Sequence, residues 1–478
     1  MADTRLQPKS SKGKARRHID RFIAARPTLE ERLAAGKALR DTLPREQHAA
    51  YAPRPGRDDP VRILERQNAS RLQALVPVRH ARMLESPFAF LRGAAAVMAA
   101  DLAPTPATGA RVQACGDMHV SNFGVYASAE RRLVFGINDF DETFPGPWEW
   151  DLKRLAASAA VVARSLGGKD GAAADAARHI TKSYRQHIRE YARMGYLETW
   201  YATIDEKDVL AAVSDEARRR GEKVMAKARQ RTNNQVLEKM ADLVDDQHRI
   251  VEHRPFIVRE THTETGQPVS EALDDFLQSY LESLGWDRRR LLERYQIVDV
   301  ARKVVGVGSV GTRCWVIFMK GLDDGDPLFL QVKQAQPSVL QPHAPRAAPF
   351  ANEGHRVVAG QRMIQGSPDI FLGWGELGGV HFYVRQLRDM KGGNEFREGR
   401  TDLDTLPDYC HLCGWALALA HAKSGDAAVI AGYVGKSEVL DDALAAFSLA
   451  YADQTEHDYE RLVKAAQSGL IEVAEGRA

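Results

Sequence analysis

The stretch VGVGSVGTRCWVIF, residues 305–318, holds a G-x-G-x-x-G at Gly306, Gly308 and Gly311. Glycines so spaced serve two different phosphate-binding units. In a dinucleotide-binding unit they follow a strand and open a helix, whose N-terminus meets the pyrophosphate. In a phosphoryl-transfer unit they turn a hairpin that lies over the phosphates. The residues after Gly311 decide between the two. Thr312, Trp315, Val316, Ile317 and Phe318 are β-branched or aromatic, the turn GLDDG follows at 321–325, and LFLQVK is a second short apolar run. Two strand-like runs around a Gly/Asp turn predict a hairpin, not a helix start. Gly306, Gly308, Ser309, Gly311 and Thr312 then form the expected phosphate-covering loop.

Bulk properties frame this reading. The 478 residues are 44% hydrophobic and 27% charged, as in ordinary globular proteins of several domain-sized units. Lys and Arg number 66 against 64 Asp and Glu, so the net charge of +2 gives no electrostatic case for nucleic acid. The basic run KSSKGKARR belongs to an expected disordered tail over 1–27. No apolar stretch follows it as in a signal peptide, and none elsewhere predicts a membrane span. Four cysteines, Cys115, Cys314, Cys410 and Cys413, suit a reducing compartment, so a cytoplasmic location is expected. Cys410 and Cys413 are a C-x-x-C without a second pair to complete a zinc site. Their setting, YCHLCGWALALAHA, predicts a buried helix in which cysteine acts as a small hydrophobe.

The chain divides coarsely. A helical region is expected over 28–110, opened by the capping-box pattern at Thr28–Glu31 and continuing with helices over 61–75 and 88–102. Over 111–295 lies a chemistry-rich part with a buried helix at 152–166 and an all-helical insert at about 173–255. Strands dominate the start of 296–395, followed by a helix at 353–365 and a strand at 381–387. Helices complete 396–478.

The densest chemistry is CGDMHVSNFG followed by NDFDETFPGPWEWDLKRLA, within residues 115–156. Asp117 and Asn122 flank a tight polar segment, and Asp139 and Asp141 stand just beyond the apolar run 133–137. Three carboxylates and a carboxamide near strand ends suit a hard divalent cation such as Mg²⁺. Phosphoryl transfer needs such a set, one Asp as base and others holding metal on the phosphates. G-D-x-H-x-x-N followed by strand–D-x-D resembles the catalytic and metal loops of the protein-kinase-like superfamily, nearest its aminoglycoside and choline kinase branch. The resemblance implies Asp117 as base, Asn122 and Asp139 as metal ligands and His119 as a brace of the loop. It leaves Asp141 as metal ligand or loop cap, and implies for Asp151, in W-x-W-D, a structural cap on the loop amides.

The same resemblance gives the hairpin its role. Lys333, in LFLQVKQA, falls where such enzymes place the lysine that neutralises the α/β-phosphates, and Glu353 opens the helix expected to carry its partner. The strand HFYVRQL would supply the hinge for adenine, near 386–389. Cations at Arg92 and at Arg385, Arg388 and Lys391 are further candidates to meet phosphate. The order is inverted, because the glycine loop comes after the catalytic loop. The expectation is therefore an α+β, kinase-like two-lobed fold with circularly permuted lobes and extra helical segments. It would bind ATP and Mg²⁺ and phosphorylate a hydroxyl of an unidentified acceptor, with no nucleic-acid or membrane partner. Adenylyl transfer and a non-catalytic nucleotide-binding module are the alternatives; a Rossmann-type oxidoreductase fits poorly with a strand after Gly311. Through RMLESPFAFLRG, CGDMHVSNFG, GVGSVGTR, QVKQA, GQRMIQ, FYVRQLRDMKG and HAKSGD, the chain also resembles the bacterial domain-of-unknown-function family 2252.

Overall fold

LFLQVK is apolar at consecutive positions, the pattern of a strand covered on both faces. A computed structural model describes residues 18–244, 247–264, 266–344, 349–387, 390–393 and 402–474. In it the strand Pro327–Gln334 is internal to a six-stranded antiparallel sheet. The order is Gly373–Leu377, Val380–Gln386, Pro327–Gln334, Cys314–Lys320, Gln296–Lys303, Ile257–Val258. Alternation then assigns the faces. Ile317, Met319, Leu328, Leu330 and Val332 pack with Phe276 and Tyr280 of the helix Val269–Ser283. Val316, Phe318 and Phe329 pack on the opposite face with Val236, Met240 and Ile250.

The predicted hairpin is present, with Cys314 opposite Lys333 and Lys320 opposite Pro327. The glycine loop joins two further antiparallel neighbours, Gln296–Lys303 and Cys314–Lys320. No helix starts after Gly311, which removes the structural basis of the dinucleotide-binding alternative. The helix Glu353–Ile364 follows and packs on Val380–Gln386 so closely that a Cβ on Gly354 would sit 2.1 Å from the carbonyl of Phe382.

A second, larger core is helical. Trp148–Ser165, Asp170–Tyr191, Leu406–Ser424 and Val439–Gln467 enclose it, with the short strands Phe123–Ala127 and Leu133–Ile137 on one side. Small residues let these helices approach closely: a Cβ on Gly414 would stand 2.2 Å from the carbonyl of Ile180. Trp148 stacks on Tyr184, ring centroids 5.7 Å apart. Cys410 and Cys413 are fully buried on Leu406–Ser424, and burial pushes both thiols up, as expected of core residues. No helix among the described residues is long and apolar enough to cross a membrane.

Three expectations need correction. The insert at about 173–255 is not all-helical: after Asp215–Gln230 and Asn233–Met240 come the paired strands Ala241–Val244 and Gln247–Ile250. The apolar face at Val316, Phe318 and Phe329 has to be covered, and Met240 and Ile250 of this segment cover it. The helix expected over 61–75 ends at Asn68 and gives way to a 3₁₀ turn at Gln73–Leu75. The helix expected over 88–102 is two, Pro87–Gly93 and Ala95–Leu102. The break follows Gly93, a poor helix former whose carbonyl accepts a 2.8 Å bond from Arg79 Nη2. Most of the expected basic tail, residues 1–17, lies outside the described residues, as do Arg388 and Asp389 of the expected hinge.

The helix packing is open to a direct test. Gly414→Ala forces the helices Asp170–Tyr191 and Leu406–Ser424 apart and is expected to lower stability by about 2–3 kcal/mol. Gly171→Ala, where a Cβ meets nothing within 4 Å, is expected to be neutral or to stabilise by up to about 1 kcal/mol. Urea unfolding of the two variants beside the parent measures the contrast.

Candidate functional site

CGDMHVSNFG forms a tight loop because a buried carboxylate gathers its amides. Asp151, in the first turn of Trp148–Ser165, accepts from the backbone N–H groups of Cys115 at 2.6 Å and Gly116 at 2.9 Å. That is the capping expected of it. The Nε2 of His421 stands 3.4 Å from the same carboxylate. One turn further along the helix, Arg154 donates to Asp117 Oδ1 through Nη2 at 2.5 Å and Nε at 3.1 Å. Asn122 turns its amide back to the carbonyl of Asp117 at 2.6 Å. Its own carbonyl accepts from the N–H of Asn138 at 2.8 Å, which ties this loop to the D-x-D segment. His119 is buried, edge-on to Phe88, with Nε2 3.8 Å from Asp117.

Asp141 is where the two distant stretches meet. Its carboxylate accepts from Lys333 Nζ, from Tyr383 OH at 2.6 Å and from Ser309 Oγ at 3.2 Å. Lys333 comes from the strand Pro327–Gln334, Tyr383 from the strand beside it and Ser309 from the glycine loop. Asp139 is close enough to act electrostatically on the same ammonium, and its Oδ1 is buried with no hydrogen-bond partner among the described residues. Lys333 does not reach Glu353. Glu353 pairs instead with Arg356, one turn along its own helix, so the expected lysine–glutamate pair is replaced by lysine–aspartate. The reason is proximity: Arg356 needs no tertiary rearrangement to neutralise Glu353, while two carboxylates of the D-x-D segment surround Lys333.

The charges are shifted accordingly. Burial pulls the Lys333 ammonium down, but Asp139 and Asp141 outweigh it and hold its pKa above the ordinary lysine value. Burial raises Asp141, and the Lys333 charge overcomes that and keeps its carboxyl below the usual range. For Asp117 burial wins over the Arg154 ion pair, and its pKa is raised. Burial, with Arg92 and Arg154 adding to it, pushes His119 well down, so its imidazole is neutral.

The glycine loop closes over this set. Gly306 at φ +66° and Gly311 at φ +86° use the left-handed region that favours glycine. Gly308 is needed for close approach: a Cβ there would lie 3.3 Å from the carbonyl of Arg92 and 4.0 Å from Asp117 Oδ2. The Thr312 hydroxyl is turned inward to the carbonyl of Ser309 at 2.8 Å. A cavity of about 90 Å³ remains, lined by Asp117, Asn122, Asp139 and Asp141 from one stretch and by Gly306, Gly308, Ser309 and Thr312 from the other. A larger, mostly apolar cavity of about 310 Å³, lined by Val125, Phe135, Leu210 and Leu412, contains none of the predicted site residues. Among the described residues no group of three or more His, Cys, Asp or Glu is arranged to hold a metal by itself.

Sequence reasoning missed several residues that build the site. Arg154 was detectable, since it follows Asp151 by three positions and so shares its helix face. Arg356 was less so. It is fully buried and donates to the carbonyls of Thr143 at 2.6 Å, Asp141 at 2.9 Å and Gln336 at 2.7 Å. Arg71 and Arg79 also line the cavity, from segments far upstream. Because Arg356 holds the D-x-D backbone, Arg356→Met is expected to cost about 3 kcal/mol of stability, as loss of one buried ionic partner does. Denaturant unfolding measures it; a loss below about 1 kcal/mol would show that the segment does not depend on this arginine.

Neither curated proteins nor solved structures contain a match to the chain. A family model described as an uncharacterized protein conserved in bacteria, DUF2252, matches residues 71–465 and so takes in both halves of the cavity. The chain belongs to the DUF2252 family of bacterial proteins.

Proposed function

We propose that this protein is an Mg²⁺- and ATP-dependent phosphotransferase acting on a hydroxyl group, built on a kinase-like two-lobed plan with permuted lobe order. The observation that carries the proposal is the pairing of Lys333 with Asp141, a carboxylate that lines the cavity shared by the glycine loop and by Asp117, Asn122 and Asp139. The glycine loop joins two strands of the sheet that also holds the lysine strand and the hinge-side strand, and the helix Glu353–Ile364 packs against the latter, which supports the kinase-like reading. Each half supplies what the other lacks.

The residues present fit a hard cation. Mg²⁺ keeps water and phosphate oxygens in its shell and asks for only one or two protein carboxylates. Asp139, with a buried oxygen left unpartnered, and Asn122, fixed to the D-x-D segment through Asn138, would hold it. Bound there, Mg²⁺ would neutralise charge on the transferring phosphoryl group. Asp117, with its raised pKa, takes the proton of the acceptor hydroxyl. The hydroxyl oxygen forms the new bond to the γ-phosphorus, the bond to the β–γ bridging oxygen breaks, and ADP leaves. Lys333 neutralises the phosphates from the sheet side. Arg154 orients Asp117, and Asp151 holds the loop in shape. The cavity of about 90 Å³ has room for a phosphoryl group.

ATP turnover with labelled nucleotide tests this. Asp117→Asn is expected to reduce release or transfer of the γ-label by about 10²–10⁴-fold while affinity for a non-hydrolysable ATP analogue stays within a few-fold. Full turnover in the variant removes Asp117 as the base. Label transferred from the α-position instead assigns adenylyl transfer, and nucleotide binding without any turnover assigns a non-catalytic module.

A further inference from the structure

The cavity wall opposite the sheet is basic, and the roles assigned above do not use it. Arg71, Arg79 and Arg92 line the same space as Asp117 and Asp139; Arg79 and Arg92 come from the helices Val76–Met83 and Pro87–Gly93, and Arg71 from the turn between Asn68 and Gln73. Their bonds are partial. Arg71 Nη1 donates to the carbonyl of Val310 at 2.5 Å; Arg79 donates through Nη1 to Asn68 Oδ1 and through Nη2 to the carbonyl of Gly93 at 2.8 Å and to Gln67 Oε1 at 3.4 Å. Arg92 makes no hydrogen bond to any described residue, and its guanidinium lies over the ring of Phe88, 6.0 Å from the centre. The Nε of each arginine is buried and unpartnered among the described residues.

No carboxylate forms an ion pair with these three guanidinium groups among the described residues. Asp117 is engaged by Arg154 and Asp141 by Lys333; Glu142, which also lines the cavity, acts on Arg71 and Arg79 only at longer range, as Asp117 and Asp139 do on Arg92. Burial lowers the proton affinity of all three, the mark of cations held short of compensation. Such groups are costly to keep unless a ligand completes them. The nucleotide is already served by the glycine loop, Lys333 and the metal-binding oxygens.

We infer that Arg71, Arg79 and Arg92 form an anion subsite for the acceptor, which is therefore a hydroxyl compound that itself carries a phosphate group. The inference rests on the phosphotransferase reading for the word acceptor, but not for the subsite. Three guanidinium groups with spare donors match the three oxygens of a phosphate better than the two of a carboxylate. Arg92, nearest in charge to both Asp117 and Asp139, would place that phosphate so that a neighbouring hydroxyl faces the base.

The test is calorimetric titration of inorganic phosphate into the full chain saturated with Mg²⁺ and a non-hydrolysable ATP analogue. One saturable site is expected, weakened about tenfold or more in Arg92→Gln. Arg92→Lys, which keeps the charge without the planar fork, is expected to fall between them and to unfold at the parent temperature. Displacement of phosphate by the analogue would assign the arginines to the nucleotide and overturn the inference, as would unchanged phosphate binding in Arg92→Gln. If the analogue itself does not bind, the phosphotransferase reading fails. The same titration on the free protein then decides the subsite alone: loss of phosphate binding in Arg92→Gln sustains it, and wild-type binding overturns it.

Discussion

The site depends on one carboxylate. Asp141 is shared by Lys333, Tyr383 and Ser309, which reach it from two neighbouring strands and the glycine loop, while its own backbone is held by Arg356. A buried lysine is tolerated only beside such a partner, because an ammonium out of water without a counter-charge would lose its proton. The pairing therefore does two things at once. It keeps Lys333 charged inside the protein, and it fixes the sheet to the helical half at the point where the cavity opens.

That arrangement explains why the sheet and the helical body can each have a core of its own. The sheet is filled by Phe276, Ile317, Leu330 and Val384 on one face and by Val316, Phe318 and Phe329 on the other. The helical body is filled by Leu152, Leu155, Ile180, Leu417 and Phe447 among others. The two are joined by the apolar packing of Val357, Val358, Ile364 and Tyr383 into the helical core and by polar contacts: Asp141 with its three donors, Arg356 to the carbonyls of Asp141 and Thr143, and Arg385 to the carbonyl of Asn138 at 3.1 Å. Charge-assisted bonds of this kind add direction where apolar packing would add only adhesion.

Much of this was legible in the sequence, and the reasons are physical. Strands were readable where alternation or a continuous apolar run met a Gly/Asp turn, as in 314–334, and the observed register follows that turn. The role of Asp151 was readable because a carboxylate in a first helical turn naturally meets backbone amides, and it caps Cys115 and Gly116. What could not be read was partner choice. Glu353 and Lys333 each had the right local position, yet Arg356 on the same helix turn captures Glu353 and leaves the lysine to Asp141. The paired strands Ala241–Val244 and Gln247–Ile250 were equally hidden, since they are short and mixed in polarity and become strand only because an apolar sheet face needs cover. Arg71 and Arg79 gave no local signal, because their importance comes from where remote segments deliver them.

The two motifs stand on different sides of the division between sheet and helical body. The glycine loop and lysine strand belong to a sheet whose cores draw on residues from 236 to 384 and not on the loop at 115–122. That loop is shaped mainly by Asp151 and Arg154 of a single helix. At the site itself the halves hold each other: Arg356 fixes the backbone of Asp141 and Thr143, and Asp141 in turn keeps Lys333 charged and joined to the helical half.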